Sequence, residues 1–383
     1  MAIQRKVKII GIDASNLLDG GGRTHLTEII HHFDELQHAE KIIIWGSIET
    51  LAKIKDMSWL EKRHSWFLEK NFILRFIWQK FFLSLSAKKE NCDLLLVPGG
   101  SYIGNFKPIV VMCRNMLPFE WNEMRRYGFS WMLLRMIMLR FLQISSFKKA
   151  QGIIFLTDYA KNSVEKITGT LKGKVSVIPH GVNQRFNIEP RKQRNISDYS
   201  VNNQFRLIYV SIVDVYKHQW NIVRAVNLVR IKTGWPISLD LIGGKYSKAY
   251  DKLDLSIQEC DPEGVWVNYY GKIPFEELHN FYKRSDLGIF ASSCENMPNI
   301  LLEMMSSGLP IVSSKMGPMK QILGMAGSYF DPTNIDEIAE TIEASIASIQ
   351  ERSSKSESSY RLSQQYSWKK CAEDTFKFLK LNI

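Results

Sequence analysis

Short apolar runs recur along the chain, each closed by glycine or polar residues and followed by a stretch of helical periodicity. In the first half they are Val7–Asp13, Lys41–Trp45, Asp93–Val97, Pro108–Cys113, Gly152–Leu156 and Val175–Ile178. Brief apolar runs bounded by turn residues read as buried strands. Helices are predicted near Thr24–Leu36 and in the long basic stretch before Gly152. The pattern restarts with Phe205–Ser211, Ile237–Ile242, Val265–Tyr270, Leu287–Phe290 and Pro310–Ser313. Strands alternating with helices predict parallel sheets covered on both faces.

Between about Asn183 and Asn203 the long apolar runs vanish, and Asn, Arg, Lys, Gln and Ser dominate. The predicted organisation is therefore a Rossmann-like domain at 1–185, a linker at 186–202 and a second Rossmann-like domain at 203–365. The length of 383 residues suits two domains, each able to bury a core. Two doubly wound parallel-sheet domains joined this way face each other across a cleft at the carboxyl ends of their strands, where ligands bind in such folds. The tail from Tyr366 to Leu379 reads as a last amphipathic helix, and the Ser- and Lys-rich stretch 351–359 as a solvent-exposed connector.

The most informative stretch is 291–313, Ala-Ser-Ser-Cys-Glu-Asn-Met-Pro-Asn-Ile-Leu-Leu-Glu-Met-Met-Ser-Ser-Gly-Leu-Pro-Ile-Val-Ser. It puts Glu295 in a loop, starts a helix near Asn299 and places Glu303 about a turn inside it. A helix N-terminus offers unpaired N–H groups and a positive dipole end, which suit phosphate. A carboxylate on each side can hold sugar hydroxyls, so the pairing suits a nucleotide sugar. The spacing alone also arises by chance in amphipathic helices. The full pattern, Glu295-x-x-Pro298-Asn-Ile-Leu-Leu-Glu303-x-Met305-x-x-Gly308-x-Pro310-Ile-Val, resembles the signature of the retaining family 4 glycosyltransferases. That resemblance implies the α/β GT-B fold and a C-terminal segment, about 366–383, that packs back on the N-terminal domain.

Three other stretches carry the resemblance. Gly11 to Leu26 is a strand end, a glycine loop (Gly20, Gly21, Gly22) and a helix start. Glycine lets backbone approach a phosphate or sugar closely, although the loop is neither GxGxxG nor a P-loop. In the family such a loop faces the donor diphosphate and the acceptor. In Tyr209 to Gln219, Lys217 fits the family's phosphate-binding lysine, but Ile212 or Val213 stands where an arginine is usual. Arg206 and Lys320 are candidate substitutes. In Pro108 to Glu120, Arg114 stands where many relatives place a histidine. With Asn115 it is an acceptor-side candidate, because a guanidinium can grip a phosphate bidentately; a structural salt bridge is the alternative. His180, in Val175–Val182, reads either as a base or as a residue that shapes the hinge.

The roles implied by the resemblance are specific. Lys217 and the N–H groups of Asn299 and Ile300 hold phosphate, while Glu295 and the N–H groups of Asn296 and Met297 hold the transferred sugar. Glu303 accepts from ribose hydroxyls, and the backbone near Ile273 meets the base. Glu295 and Lys217 carry the chemistry. No acidic metal cluster of the Asp-x-Asp kind occupies a suitable loop, so no cofactor or metal is expected.

The net charge of +11 changes the picture of the partners. Residues 121–174 hold ten Lys/Arg against three acids, and Trp59–Lys89 is a second basic, aromatic stretch with Phe72, Phe76, Trp78, Phe81 and Phe82. The apolar segment from Trp131 is interrupted by Arg135 and Arg140 and is too short to span a bilayer. Basic helices bearing Trp and Phe suit an anionic membrane surface. No nucleic-acid-binding motif accompanies the charge. Five scattered cysteines make neither a disulfide framework nor a zinc site. The N-terminus has no signal-peptide pattern. The expectation is thus a retaining, nucleotide-sugar-dependent glycosyltransferase, cytoplasmic and peripheral on the inner face of a bacterial membrane. Its acceptor would be a saccharide, polyprenyl-diphosphate-linked, in O-antigen, capsule or other surface-polysaccharide synthesis, with a soluble small acceptor as the alternative. A non-catalytic nucleotide-sugar-binding scaffold and an inverting transferase are the alternatives.

Overall fold

The computed structural model describes residues 8–18, 20–34 and 39–383. The expected strand start at Val7 and helix end at Leu36 lie outside these residues. The chain divides into two compact units. Residues up to Met124, Gly128–Gly181 and Ser367–Ile383 make the first; Arg125–Tyr127 and Val182–Tyr366 make the second.

The first unit is built on seven strands: β1 (Ile9–Asp13), β2 (Lys41–Trp45), β3 (Leu60–Arg63), β4 (Leu94–Val97), β5 (Ile109–Cys113), β6 (Gly152–Phe155) and β7 (Lys174–Val177). All pair in parallel in the order β3-β2-β1-β4-β5-β6-β7. β4, β5 and β6 are buried along their whole length, as an apolar strand in a two-sided parallel sheet must be. The helix Trp368–Lys380 closes this unit, with Phe376 against Phe33 at 4.7 Å between ring centres.

The second unit repeats the plan with β8 (Phe205–Val210), β9 (Ile237–Ile242), β10 (Val267–Gly271), β11 (Leu287–Phe290), β12 (Ile311–Ser314) and β13 (Gly327–Phe330). Their order is β10-β9-β8-β11-β12-β13, again parallel throughout. Two strands had no counterpart in the apolar pattern, and both are sheet edges. β3 reads Leu-Glu-Lys-Arg, the charged composition that protects an exposed edge.

Two further differences are instructive. The stretch 186–202, whose polarity suggested a linker, is tied to the second unit. Ile188 N–H donates to Ser306 O (2.9 Å), and Arg191 reaches Asp286 (2.7 Å). The Ser- and Lys-rich stretch 351–359 is not a connector but part of the helix Ile349–Ser363. Ser356 and Ser359 are buried and donate to the carbonyls of Gly308 (2.6 Å) and Leu309 (3.2 Å). Small hydroxyl side chains here give partners to the buried carbonyls of the Gly308–Leu309 turn that follows the helix Asn299–Ser306.

Candidate functional site

In the second unit the strand order reverses between β8 and β11, and open parallel sheets bind ligands at such a point. The loops leaving the carboxyl ends of these two strands carry Lys217 and Glu295. Ser293 N–H donates to Tyr216 O (2.9 Å), and His218 Nε2 lies 2.9 Å from Ser293 Oγ. Tyr209 on β8 donates its hydroxyl to Lys217 O (2.7 Å). His218 adopts a left-handed backbone, φ 54°, which turns the chain into the helix Gln219–Thr233. Burial pulls its pKa down to about 3, so it stays neutral and tethers the loops without adding charge.

The Lys217 ammonium, thus fixed, ion-pairs with Glu295 and lies 5.0 Å from the Tyr216 ring centre. Both charged side chains are largely buried, at 6% and 15% exposure. The loop through the buried Asn296 and Met297 ends at Pro298, and the helix Asn299–Ser306 begins. The N–H groups of Asn299 and Ile300, at its first turn, have no intrahelical acceptor. Inside the helix Glu303 is buried and accepts from Tyr282 (3.3 Å). Burial raises its pKa to about 7, against a smaller lowering by the Tyr282 hydrogen bond, so near neutral pH it is half protonated. Ile273 follows the end of β10 and is half-buried.

The first unit's glycine loop sits at the equivalent reversal, after β1. Gly20, with φ 68° and ψ −158°, precedes the helix Gly21–His31; that backbone is essentially restricted to glycine. Arg114, after β5, donates to Gly22 O (2.9 Å) and Gly21 O (2.5 Å). It makes no salt bridge with a described residue; its guanidinium grips the start of the helix instead. Burial lowers its pKa to about 10, which leaves it fully charged at neutral pH. Asn115 is exposed, and its side chain accepts from Leu117 N–H (3.0 Å). His180 is buried in the same unit, 4.6 Å from His25 and 5.5 Å from Trp368 between ring centres.

The structure therefore gathers Lys217, Glu295, Asn296, Met297, Asn299, Ile300 and Glu303 in the second unit, and Gly20, Gly21, Gly22, Arg114 and Asn115 in the first. Of the substitute cations, Arg206 lies at the amino end of β8, away from these loops. Lys320 is exposed on Met319–Leu323, just after the Gly317 turn. A methyl group on Gly317 would come within 3.7 Å of Glu295 N. Sequence reasoning gave no role to Tyr282 and His218. Tyr282 meets Glu303 across 21 residues, and no local pattern encodes that contact. The left-handed His218 is a backbone feature with no sequence signal. Among the described residues no group of three or more His, Cys, Asp or Glu side chains could hold a metal ion.

Residues 19–186 match the family model Glycosyltransferase Family 4, and residues 192–361 match Glycosyl transferases group 1. O-antigen chain mannosyltransferase B of Escherichia coli is 24% identical over 240 residues, 63% of this chain and 60% of that protein. The chain thus spans less than two thirds of that relative. Among solved structures, sucrose-phosphate synthase of Thermosynechococcus elongatus superposes with a TM-score of 0.74, at 14% identity over 97% of this chain and 98% of that one. Anabaena HepE in complex with UDP-glucose gives 0.70, at 16% identity over 97% and 98%. These likenesses establish the GT-B fold, two Rossmann-like parallel-sheet units.

Proposed function

The chain belongs to the family 4 glycosyltransferases, and from that premise we propose that it moves a sugar from a nucleotide-diphosphate donor to a saccharide acceptor with retention of anomeric configuration. The observation that carries this reading is the second unit's reversal point. There a buried lysine ion-pairs with a largely buried carboxylate, and the loop that carries the carboxylate leads into a helix N-terminus with a second, buried carboxylate inside it. The solved relative with UDP-glucose bound supports a nucleotide-sugar donor.

In this reading Lys217 and the N–H groups of Asn299 and Ile300 hold the diphosphate. Glu295, with the N–H groups of Asn296 and Met297, orients the sugar. Glu303 accepts from the ribose, and backbone near Ile273 meets the base. Two-carboxylate glycosidase chemistry is not the model, because the departing diphosphate itself accepts the acceptor's proton on the same face. Catalysis then rests on stabilising charge as it develops on that diphosphate. Lys217 and the helix dipole supply the positive potential, so we assign the reaction no metal and no cofactor.

Gly20, Gly21 and Gly22 approach the substrates through backbone, and Arg114 and Asn115 lie on the acceptor side. The relative named for O-antigen mannosyl transfer supports a role in bacterial surface-polysaccharide assembly on a polyprenyl-diphosphate-linked acceptor. The protein would work in the cytoplasm, peripheral on the membrane, through the basic aromatic helices of the first unit. Among the described residues no helix is long and apolar enough to cross a membrane.

Calorimetry with UDP-, GDP- and dTDP-sugars tests the donor assignment. One donor should bind, and Glu303→Ala should abolish its binding. Folded protein that binds none of them, together with cellular glycan unchanged by Glu295→Ala but lost on deletion of the chain, would favour a scaffold.

A further inference from the structure

The ion pair between Lys217 and Glu295 joins the two groups assigned to adjoining parts of the donor, one to phosphate and one to sugar. Each is the other's ion-pair partner among the described residues, and each is largely buried. Aromatic rings at Tyr216 (5.0 Å) and Phe290 (5.6 Å) flank the ammonium, so water has limited access to it. A diphosphate that binds Lys217 draws it away from Glu295, because a phosphate group with more negative charge than one carboxylate competes for the same ammonium. The carboxylate then stays in its buried loop without its counter-ion, a costly state unless donors replace the lysine. Sugar hydroxyls are such donors, and a bare nucleoside diphosphate has none to offer there.

Resting on the donor-site reading above, we infer that the Lys217–Glu295 pair is a counter-ion switch by which the site favours an intact sugar nucleotide over the spent nucleotide. The intact donor satisfies both partners at once, its phosphates on Lys217 and its hydroxyls on Glu295. Once the sugar has been transferred, Glu295 loses its hydroxyl donors and recovers Lys217. The re-formed pair competes with the remaining nucleotide and hastens its release. Specificity of this kind comes from a group left unpaired with the wrong ligand.

The test is calorimetry on the full chain with UDP, GDP and dTDP, each alone and as a sugar nucleotide. Glu295→Gln keeps the shape and removes the charge, so Lys217 no longer has to be taken from a carboxylate. The switch predicts that this variant binds the bare nucleotide more tightly, by about tenfold, while the preference for the sugar form shrinks toward unity. Glu295→Ser, small and neutral, should act in the same direction. Lys217→Met should weaken both forms. A bare nucleotide bound no more tightly by either Glu295 variant, with the sugar-to-bare ratio as in the parent, would overturn the switch and leave the donor site standing. Absence of binding to any nucleotide by the parent chain and both variants, all folded by circular dichroism, would overturn the donor reading and the switch with it.

Discussion

The two units share one strand order, reversing after β1 in the first and after β8 in the second, yet they place their polar groups differently at that point. The second unit buries an ion pair and a half-protonated carboxyl beside a helix N-terminus. The first seats a half-buried guanidinium on backbone carbonyls and buries two neutral histidines against each other. Their surfaces differ as well. Eight exposed aromatics lie between Trp66 and Phe141 in the first unit, against Tyr270 and Phe275 in the second. One scaffold thus serves two tasks. The second unit concentrates charge where a phosphate and a sugar would sit, while the first stiffens a glycine loop and keeps an apolar, basic face in solvent.

The sharpest way to break this division is to remove the charge from one unit at a time. Lys217→Met should lower turnover about a thousandfold, the scale of losing a group aimed at developing charge. Arg114→Met should lower donor affinity far less than Lys217→Met and raise the acceptor KM, since its guanidinium holds the carbonyls of Gly21 and Gly22. Steady-state kinetics with each substrate varied reads both effects. Equal losses of donor affinity in the two variants would erase the distinction.

Acid should find the first unit before the second. Burial holds His25 and His180 well below the ordinary 6.5, with further lowering from the Arg114 charge nearby. The neighbouring Cys371 thiol, 3.7 Å from His25 Nε2, is pushed up to about 12 and stays neutral. A histidine kept neutral in the fold binds its proton only when the chain unfolds, so stability falls as pH drops below 6.5. Each costs about 1.4 kcal/mol per pH unit, about 3 kcal/mol for the pair at a pH one unit below that value. In the second unit His218 works the same way, but Glu303 opposes it. Its raised pKa stabilises the fold fully below 4.5, and that contribution is lost as pH rises toward about 7. Hydrogen exchange compared at mildly acid and neutral pH should show protection lost around His25 and Trp368 and largely kept around β8 and β11. His180→Asn should halve the slope; an unchanged slope would remove histidine as the cause.

On the donor reading, Glu303 should also make donor binding depend on pH. Ribose hydroxyls donate to a carboxylate, so binding favours the ionised form. Below a pKa of about 7 the carboxyl must first lose its proton. Affinity should therefore fall by up to about tenfold for each pH unit below 7. Glu303→Gln should bind more weakly and flatten the profile. A profile that keeps its slope in the variant would assign the titration elsewhere.

Much of this was legible in the chain because the relevant signals are local. Parallel strands buried on both faces are continuous apolar runs, so eleven of the thirteen strands announce themselves, while the edges β3 and β13 do not. The loop, helix and break around Glu295, Asn299 and Gly308 follow from adjacent residues and their capping and turn chemistry. What stayed hidden depends on distance in sequence. Glu303 is legible as a candidate carboxylate within its helix, but its burial and its Tyr282 partner are not. Arg114 reads as a cleft cation until Gly21 and Gly22, more than ninety residues earlier, take its donors. The serines of Ile349–Ser363 look solvent-exposed by composition and are buried by packing.

The smallest predicted effect concerns the surface. Phe129 is fully exposed and Trp131 is 74% exposed, at the start of the helix Trp131–Lys149. That helix carries Arg135, Arg140, Lys148 and Lys149 and no acid, so on the proposed peripheral reading its charge would attract an anionic interface and the exposed aromatics would enter it. An aromatic side chain moved from water into an apolar setting contributes roughly 1.5–3 kcal/mol when fully buried, and an interface buries it only in part. Phe129→Ser with Trp131→Ser should therefore weaken binding to vesicles containing phosphatidylglycerol about tenfold. Raised salt should weaken the parent as well, because surface charges are screened. Ile231→Ser, an equally exposed apolar position on the second unit, should change nothing. If Ile231→Ser lowered vesicle binding as much as the aromatic pair, the apolar face of the first unit would have no special claim on the membrane. The exposed aromatics would then need another explanation.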